Sequence, residues 1–383
     1  MKMIKIMTIF GTRPEAIKMA PLVKELEKRE EIQSIVCVTA QHREMLDQVL
    51  ELFNISPDYD LDIMKSGQTI TGITNRVLSG LEEVLVKEKP DMVLVHGDTT
   101  TTFAGSLAAF YNQIEIGHVE AGLRSHNIYS PYPEEMNRSL VGRITNIHFA
   151  PTKKNKSNLI SENIKEENIV MTGNTVIDAL LEVVENNYKF KDENVHKVDF
   201  KNKKVILLTS HRRENLGKPM ENIFTAVKSL VQENENIEVV FPVHLNPKVR
   251  EISNKILSGH NRIHLIEPMD YKPFANLINK VDIVMTDSGG IQEEAPALGK
   301  PVVVLRSETE RPEAVEAGTV KVVGTEIDCI YQTVNKLINN EEEYNKMANA
   351  VNPYGDGKAC RRIVDSILYK FNKSKIKPTE FNI

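Results

Sequence analysis

Residues 4–21 read IKIMTIFGTRPEAIKMAP, and the fold turns on how that run is parsed. Ile4 to Phe10 is a short apolar stretch rich in isoleucine, and Gly11 follows it directly. Gly11 allows a tight turn, Thr12 can cap a helix, and Pro14 suits a first helical turn. From Ala16 to Arg29 the apolar positions recur at helical spacing. The run therefore predicts a strand that turns sharply into a helix.

The same parsing repeats along the chain. Ser34 to Thr39, Met92 to His96, Glu115 to Val119 and Ile147 to Ala150 read as strands, with helical spacing between them, as in Thr101 to Tyr111. A polar, Lys- and Asn-rich stretch, roughly Glu185 to Lys204, follows Ile169 to Gly173 and lacks periodicity. The alternation then resumes with Val205 to Ser210, Glu238 to Pro242, Ile263 to Ile266, Ile283 to Thr286, Pro301 to Leu305 and Val320 to Val323. Strand and helix in alternation imply parallel strands joined by helical crossovers. Two doubly wound α/β domains in tandem are expected, with ligands at the carboxyl ends of strands and in the cleft between domains.

Composition bounds the function. A chain of 383 residues, 41% hydrophobic, suits two cores. The net charge of -5, with both signs interspersed, gives no nucleic-acid footprint. Cys37, Cys329 and Cys360 stand far apart with no Cys-x-x-Cys pair, so no metal site is signalled and the thiols read as reduced and cytoplasmic. Charges interrupt the first ten residues, which argues against a signal peptide, and no apolar run reaches the ~18 residues of a membrane span.

The strand ends carry the chemistry. In GTRPEAIK, Arg13 and Lys18 sit near a helix N-terminus, where backbone N–H groups already favour an anion. In HGDTTTT, Asp98 either caps the next helix or acts in a site. Glu120 ends the following strand, and Glu134 lies beyond a loop broken by Pro131 and Pro133. Successive strand ends converge on one crevice, so Asp98, Glu120 and Glu134 are expected to line one pocket and to raise one another's pKa. Glu135 reads as a solvated first-turn carboxylate, and Arg138 and Arg143 as capping or ion-pairing groups. In SHRRENLG, His211 can contact phosphate or move a proton, with Arg212 and Arg213 as fixed charge. His244 and Asn246 are ligands or turn formers. Ser288, Gly289 and Gly290 offer a hydroxyl and bare amides at a helix start, a second phosphate cradle; Glu293 or Glu294 can take ribose hydroxyls, and Arg306 and Arg311 follow on a loop. Neither a dinucleotide fingerprint nor a Walker loop occurs, and no cofactor is implied.

Taken together, GTRPEAIK, HGDTTTT, GHVEAGLR, YSPYPEEMNR, HRREN, TDSGGIQEEAP, GKPVVVLR and TERPE closely resemble the motifs of the non-hydrolysing UDP-N-acetylglucosamine 2-epimerases. They run from Gly11 to Glu313 in that family's order, without large insertions. The resemblance implies a GT-B fold: residues 1–172 as one Rossmann-like domain completed by a C-terminal helix within 361–383, and residues 173–360 as a UDP-binding domain. It implies inversion at C2 of UDP-GlcNAc to UDP-ManNAc, through anti elimination of UDP to 2-acetamidoglucal and re-addition. Asp98, Glu120, Glu134 and His211 become catalytic candidates. Arg13, Lys18, Arg212, His244, Phe274, Ser288, Gly289, Gly290, Glu294 and Arg311 become substrate contacts, with Phe274 in the uridine pocket. Gln41, Glu134, Arg212 and His244 match positions of a second, activating UDP-GlcNAc site, while Gly67 stands where some members carry an arginine. A homodimer serving cell-surface polysaccharide synthesis is implied as well. A hydrolysing relative, a GT-B glycosyltransferase and a non-catalytic UDP-sugar sensor are the competing readings.

Overall fold

The computed structural model describes residues 3–41 and 43–382. One compact unit runs to Glu182 and resumes at Tyr354; the other spans Val183–Pro353. In the first, seven strands form one parallel sheet: β1 (Ile4–Phe10), β2 (Ile32–Val38), β3 (Tyr59–Asp60), β4 (Met92–His96), β5 (Glu115–Val119), β6 (Ile147–Ala150) and β7 (Ile169–Met171). Their order is β3-β2-β1-β4-β5-β6-β7. The second unit holds β8 (Lys204–Thr209), β9 (Ile237–Pro242), β10 (Ile263–Ile266), β11 (Ile283–Thr286), β12 (Val302–Val304) and β13 (Val320–Val322), in the order β10-β9-β8-β11-β12-β13.

Both sheets wind outward from their first strand in two directions. Their switch points therefore fall between β1 and β4 and between β8 and β11, where the loops after adjacent strands diverge and leave a crevice. The central strands are apolar on both faces because helices cover both; every residue of β4 is buried. Met7, Ile9, Cys37, Val93 and Val95 pack with Val77 and Leu81 of the helix Ile70–Glu88 on one side of the first sheet. Phe224 and Phe241 meet at 5.3 Å between ring centroids in the second.

The division falls later than residue 172. The helix Thr175–Val183 stays with the first unit up to Glu182, because Asp178 accepts the backbone N–H groups of Ala359 (3.1 Å) and Cys360 (2.9 Å). That bond pins it to the helix Ala359–Lys370, which packs on the helix Arg13–Glu27, with Arg29 bonding Asp365 at 3.2 Å. β3 and β7 are too short to show a strand period, and neither stands out in the sequence as a strand.

Candidate active site

Gly11 follows β1 and must be glycine for lack of room: a Cβ there would collide with Thr39 Oγ1 and come within 2.9 Å of Thr101 Oγ1. Thr12 then caps the helix Arg13–Glu27 in a capping box with Glu15. Glu15 does more than cap. Its buried carboxylate accepts the N–H groups of Gly11 (3.1 Å) and Thr12 (2.8 Å) and the hydroxyls of Thr99 (2.5 Å) and Thr102 (3.1 Å). The loops after β1 and β4 are thereby tied across the switch point.

Glu120 follows β5 with a φ of +60°, a left-handed conformation costing a non-glycine residue about 1–2 kcal/mol. Its Oε2 accepts from Lys18 Nζ and lies 3.0 Å from His96 Nε2, which must carry the hydrogen because a carboxylate only accepts. Burial pushes the Glu120 carboxyl up, yet the Lys18 ammonium and His96 outweigh it and hold it well below the usual carboxylate range. Asp98, after β4, is gripped by Arg138, whose Nε and Nη2 lie 2.8 and 2.6 Å from Oδ2, while Asn137 Nδ2 donates to the Asp98 carbonyl at 2.9 Å. Capping does not account for it, since Thr99 caps the helix Thr100–Tyr111. Glu134 opens the helix Glu134–Ile144, half-buried, with Oε2 shielded from solvent and lacking a hydrogen-bond partner among the described residues.

In the second unit Asp287 is the hub. Fully buried after β11, it accepts Ser210 Oγ (3.1 Å), the N–H groups of His211 and Arg212 (both 2.9 Å) and Asn215 Nδ2 (3.0 Å). This fixes the loop after β8. His211 stacks on His244 at 5.4 Å, and burial lowers its pKa against the pull of Asp287. Ser288–Gly290 lead into the helix Ile291–Ala297; Gly290 faces open space, and Gly289 lies beside the Arg212 guanidinium. Gln292 donates to the Ser288 carbonyl at 3.1 Å and accepts from Thr309 at 2.5 Å. Arg311 pairs with buried Glu293, and buried Glu294 accepts the Tyr271 hydroxyl at 3.1 Å. Phe274 is half-buried on the same helix as Tyr271, Tyr271–Lys280. The first unit thus offers ionised carboxylates braced by cations, fitted to proton transfer; the second offers amides and cations, fitted to an anion.

Several expectations change. The charges against Glu120 are cations, so its carboxyl is lowered, not raised. Glu135 is buried, not solvated, because it accepts the N–H groups of Ser125 (3.0 Å) and His126 (2.9 Å) and pairs with Arg138 at 2.9 Å. Lys18 meets Glu120, the Arg13 side chain makes neither hydrogen bond nor ion pair among the described residues, and Gln41 accepts from Thr101 at 3.1 Å. Glu15, His96 and Asp287 were passed over. The Thr12-x-x-Glu15 capping signature could have flagged the first, whereas nothing local distinguishes Asp287 from a turn former.

The sequence model of the family described as UDP-N-acetylglucosamine 2-epimerase matches residues 24–368. The chain belongs to that family. It is 57% identical to the UDP-N-acetylglucosamine 2-epimerase of Bacillus subtilis over 381 residues, covering 100% of this chain and 99% of that protein. The Escherichia coli K12 enzyme of the same name is 55% identical over 368 residues, 95% of this chain and 98% of its own. The crystal structure of UDP-GlcNAc 2-epimerase from Neisseria meningitidis bound to UDP-GlcNAc superposes with a TM-score of 0.84 at 53% identity, covering 95% of this chain and 100% of that one. The family members are isomerases, and the two Rossmann-like sheets are their GT-B architecture.

Proposed function

We propose that this chain interconverts UDP-GlcNAc and UDP-ManNAc by anti elimination and re-addition of UDP, without net hydrolysis. The observation that carries this reading is Glu120, a buried carboxylate kept ionised at a strand end by Lys18 and His96. The C2 proton of a sugar is weakly acidic, so its removal needs a positioned base and a stabilised leaving group together. Glu120 takes the C2 proton while the C1–O bond breaks and UDP leaves with the electron pair, giving 2-acetamidoglucal. A β-phosphate oxygen of UDP then re-adds at C1 as C2 receives a proton on its other face, a task for Asp98 or Glu134. His211, Arg212 and the Ser288–Gly290 amides hold the departing diphosphate, Arg13 and Arg311 add positive charge, Glu294 takes the ribose hydroxyls and Phe274 lines the uracil. His244 supports His211 by stacking. No hydride carrier enters. The chain works as a homodimer, and its product feeds cell-surface polysaccharide synthesis.

Proton NMR of the protein with UDP-GlcNAc in deuterated water tests the reading. UDP-ManNAc carrying deuterium at C2 is expected. Free ManNAc with UDP would move the chain to the hydrolysing branch; an unchanged spectrum with bound ligand would favour a transferase or sensor.

A further inference from the structure

We propose that His118 is a positioning residue for Asp98, acting through the carbonyl of Gly97. The inference rests on the proton-transfer role given to Asp98 above. His118 lies on β5, wholly buried, with Val95 of β4 as its register partner on one side and His148 of β6 on the other. Its Nε2 is 2.7 Å from Gly97 O. A carbonyl only accepts, so Nε2 carries the hydrogen and the tautomer is fixed. Nδ1 is buried without a partner among the described residues. Packing alone would favour an apolar side chain at such a position, because a buried ring nitrogen loses its water and gains nothing. The bond to Gly97 is what the imidazole contributes.

That bond falls at a sensitive place. Gly97 has a φ of +66°, and its N–H donates to Val119 O at 2.9 Å. Both polar groups of its backbone therefore end on β5, the strand that delivers Glu120. The next carbonyl, that of Asp98, is held by Asn137, and the carboxylate by Arg138. The peptide between Gly97 and Asp98 cannot rotate without releasing His118. Asp98 and Glu120 are thus set relative to one strand, and a misplacement near 1 Å at a reacting group costs about 100-fold in rate.

The test compares His118→Phe, which removes the donor, with His118→Gln, which retains an N–H, each alone and with Asp98→Asn, following UDP-GlcNAc epimerisation. His118→Phe should lower kcat by about 30- to 100-fold with KM little changed. His118→Gln should recover at least about ten-fold of that loss, and the double variant D98N/H118F should be no slower than D98N within about two-fold. Multiplicative losses in the double variant would overturn the proposal, as would H118Q as slow as H118F when both melt like wild type. If H118F does not fold, Gly97→Ala disturbs the same peptide from the open side, where a Cβ meets no atom within 4 Å but the positive φ is strained. It should show the same kcat loss and the same non-additivity with D98N; full activity would overturn the proposal. A D98N variant as fast as wild type would instead remove the role assigned to Asp98, whereas a slow D98N with multiplicative H118F removes only the positioning.

Discussion

The loops after β4 and β5 and the loops after β8 and β11 lie at or beside the switch points of two sheets of the same winding, yet they settle their charge in opposite ways. In the first unit the carboxylates carry their own cations: Lys18 and His96 on Glu120, Arg138 on Asp98 and Glu135. In the second a buried carboxylate, Asp287, accepts a hydroxyl and backbone and amide N–H groups, and the Arg212 side chain beside Gly289 carries no ion pair among the described residues. One site brings ionised oxygen to a proton, while the other leaves positive charge for a ligand to neutralise. The same topology serves both because strand ends deliver side chains and helix starts deliver amides.

The largest effect should come from Glu120→Gln, which keeps the shape and removes the charge. Loss of a positioned base should lower kcat by about 10²–10⁴-fold while calorimetric binding of UDP stays within a few-fold of wild type. A comparable loss of UDP binding would erase the division of labour between the two units.

Acid should separate them next. Burial pushes His118 down to about 3 and His148 down to about 4, so both are neutral in the folded chain. Unfolded histidine titrates near 6.5; the stability due to neutrality is therefore present above that pH and is lost as pH falls through about 6.5 toward 4 and 3. The slope is roughly 1.4 kcal/mol per pH unit for each group. Hydrogen exchange at pH 7 and pH 5 should show protection falling further in β5 and β6, which carry two strongly lowered histidines, than in β8 and β11, beside which burial lowers His211 less. Equal loss in both sheets would contradict the assignment.

Asp287→Asn should cost about 2–3 kcal/mol of stability, because an amide cannot accept all the donors that converge on the carboxylate, and should weaken UDP about ten-fold with the C2 exchange step less affected. Thermal melts and calorimetry measure the two separately. Tyr271→Phe, which removes only the bond to Glu294, should raise the Kd for UDP by a few-fold, about 1 kcal/mol, and leave kcat unchanged.

What is legible in the sequence follows the same contrast between local and distant information. Strands such as Met92–His96 and Ile283–Thr286 were legible because runs of apolar residues between helical periods have few alternative readings. Tyr59–Asp60, at two residues, has no period to detect. Within the site, the identities at the strand ends were legible, since Gly11, Asp98, Glu120 and Ser288 each follow an apolar run. Their partners were not. Lys18 meets Glu120 only because β1, β4 and β5 lie side by side, and Asp287 serves Ser210 only because β8 neighbours β11. Pairings of that kind are properties of sheet order, which no stretch of sequence displays. Glu135 failed for a related reason: a first-turn glutamate looks solvated until a loop folds its N–H groups over it.

In the proposed reaction the C1–O bond breaks and re-forms while the C2 proton is exchanged. This coupling is tested most directly with UDP-GlcNAc labelled with oxygen-18 at the oxygen bridging C1 and the β-phosphate, incubated with the protein in deuterated water. Label is expected to scramble into the non-bridging β-phosphate positions in step with deuterium uptake at C2. Deuterium uptake with the label still confined to the bridge would contradict the proposed reaction.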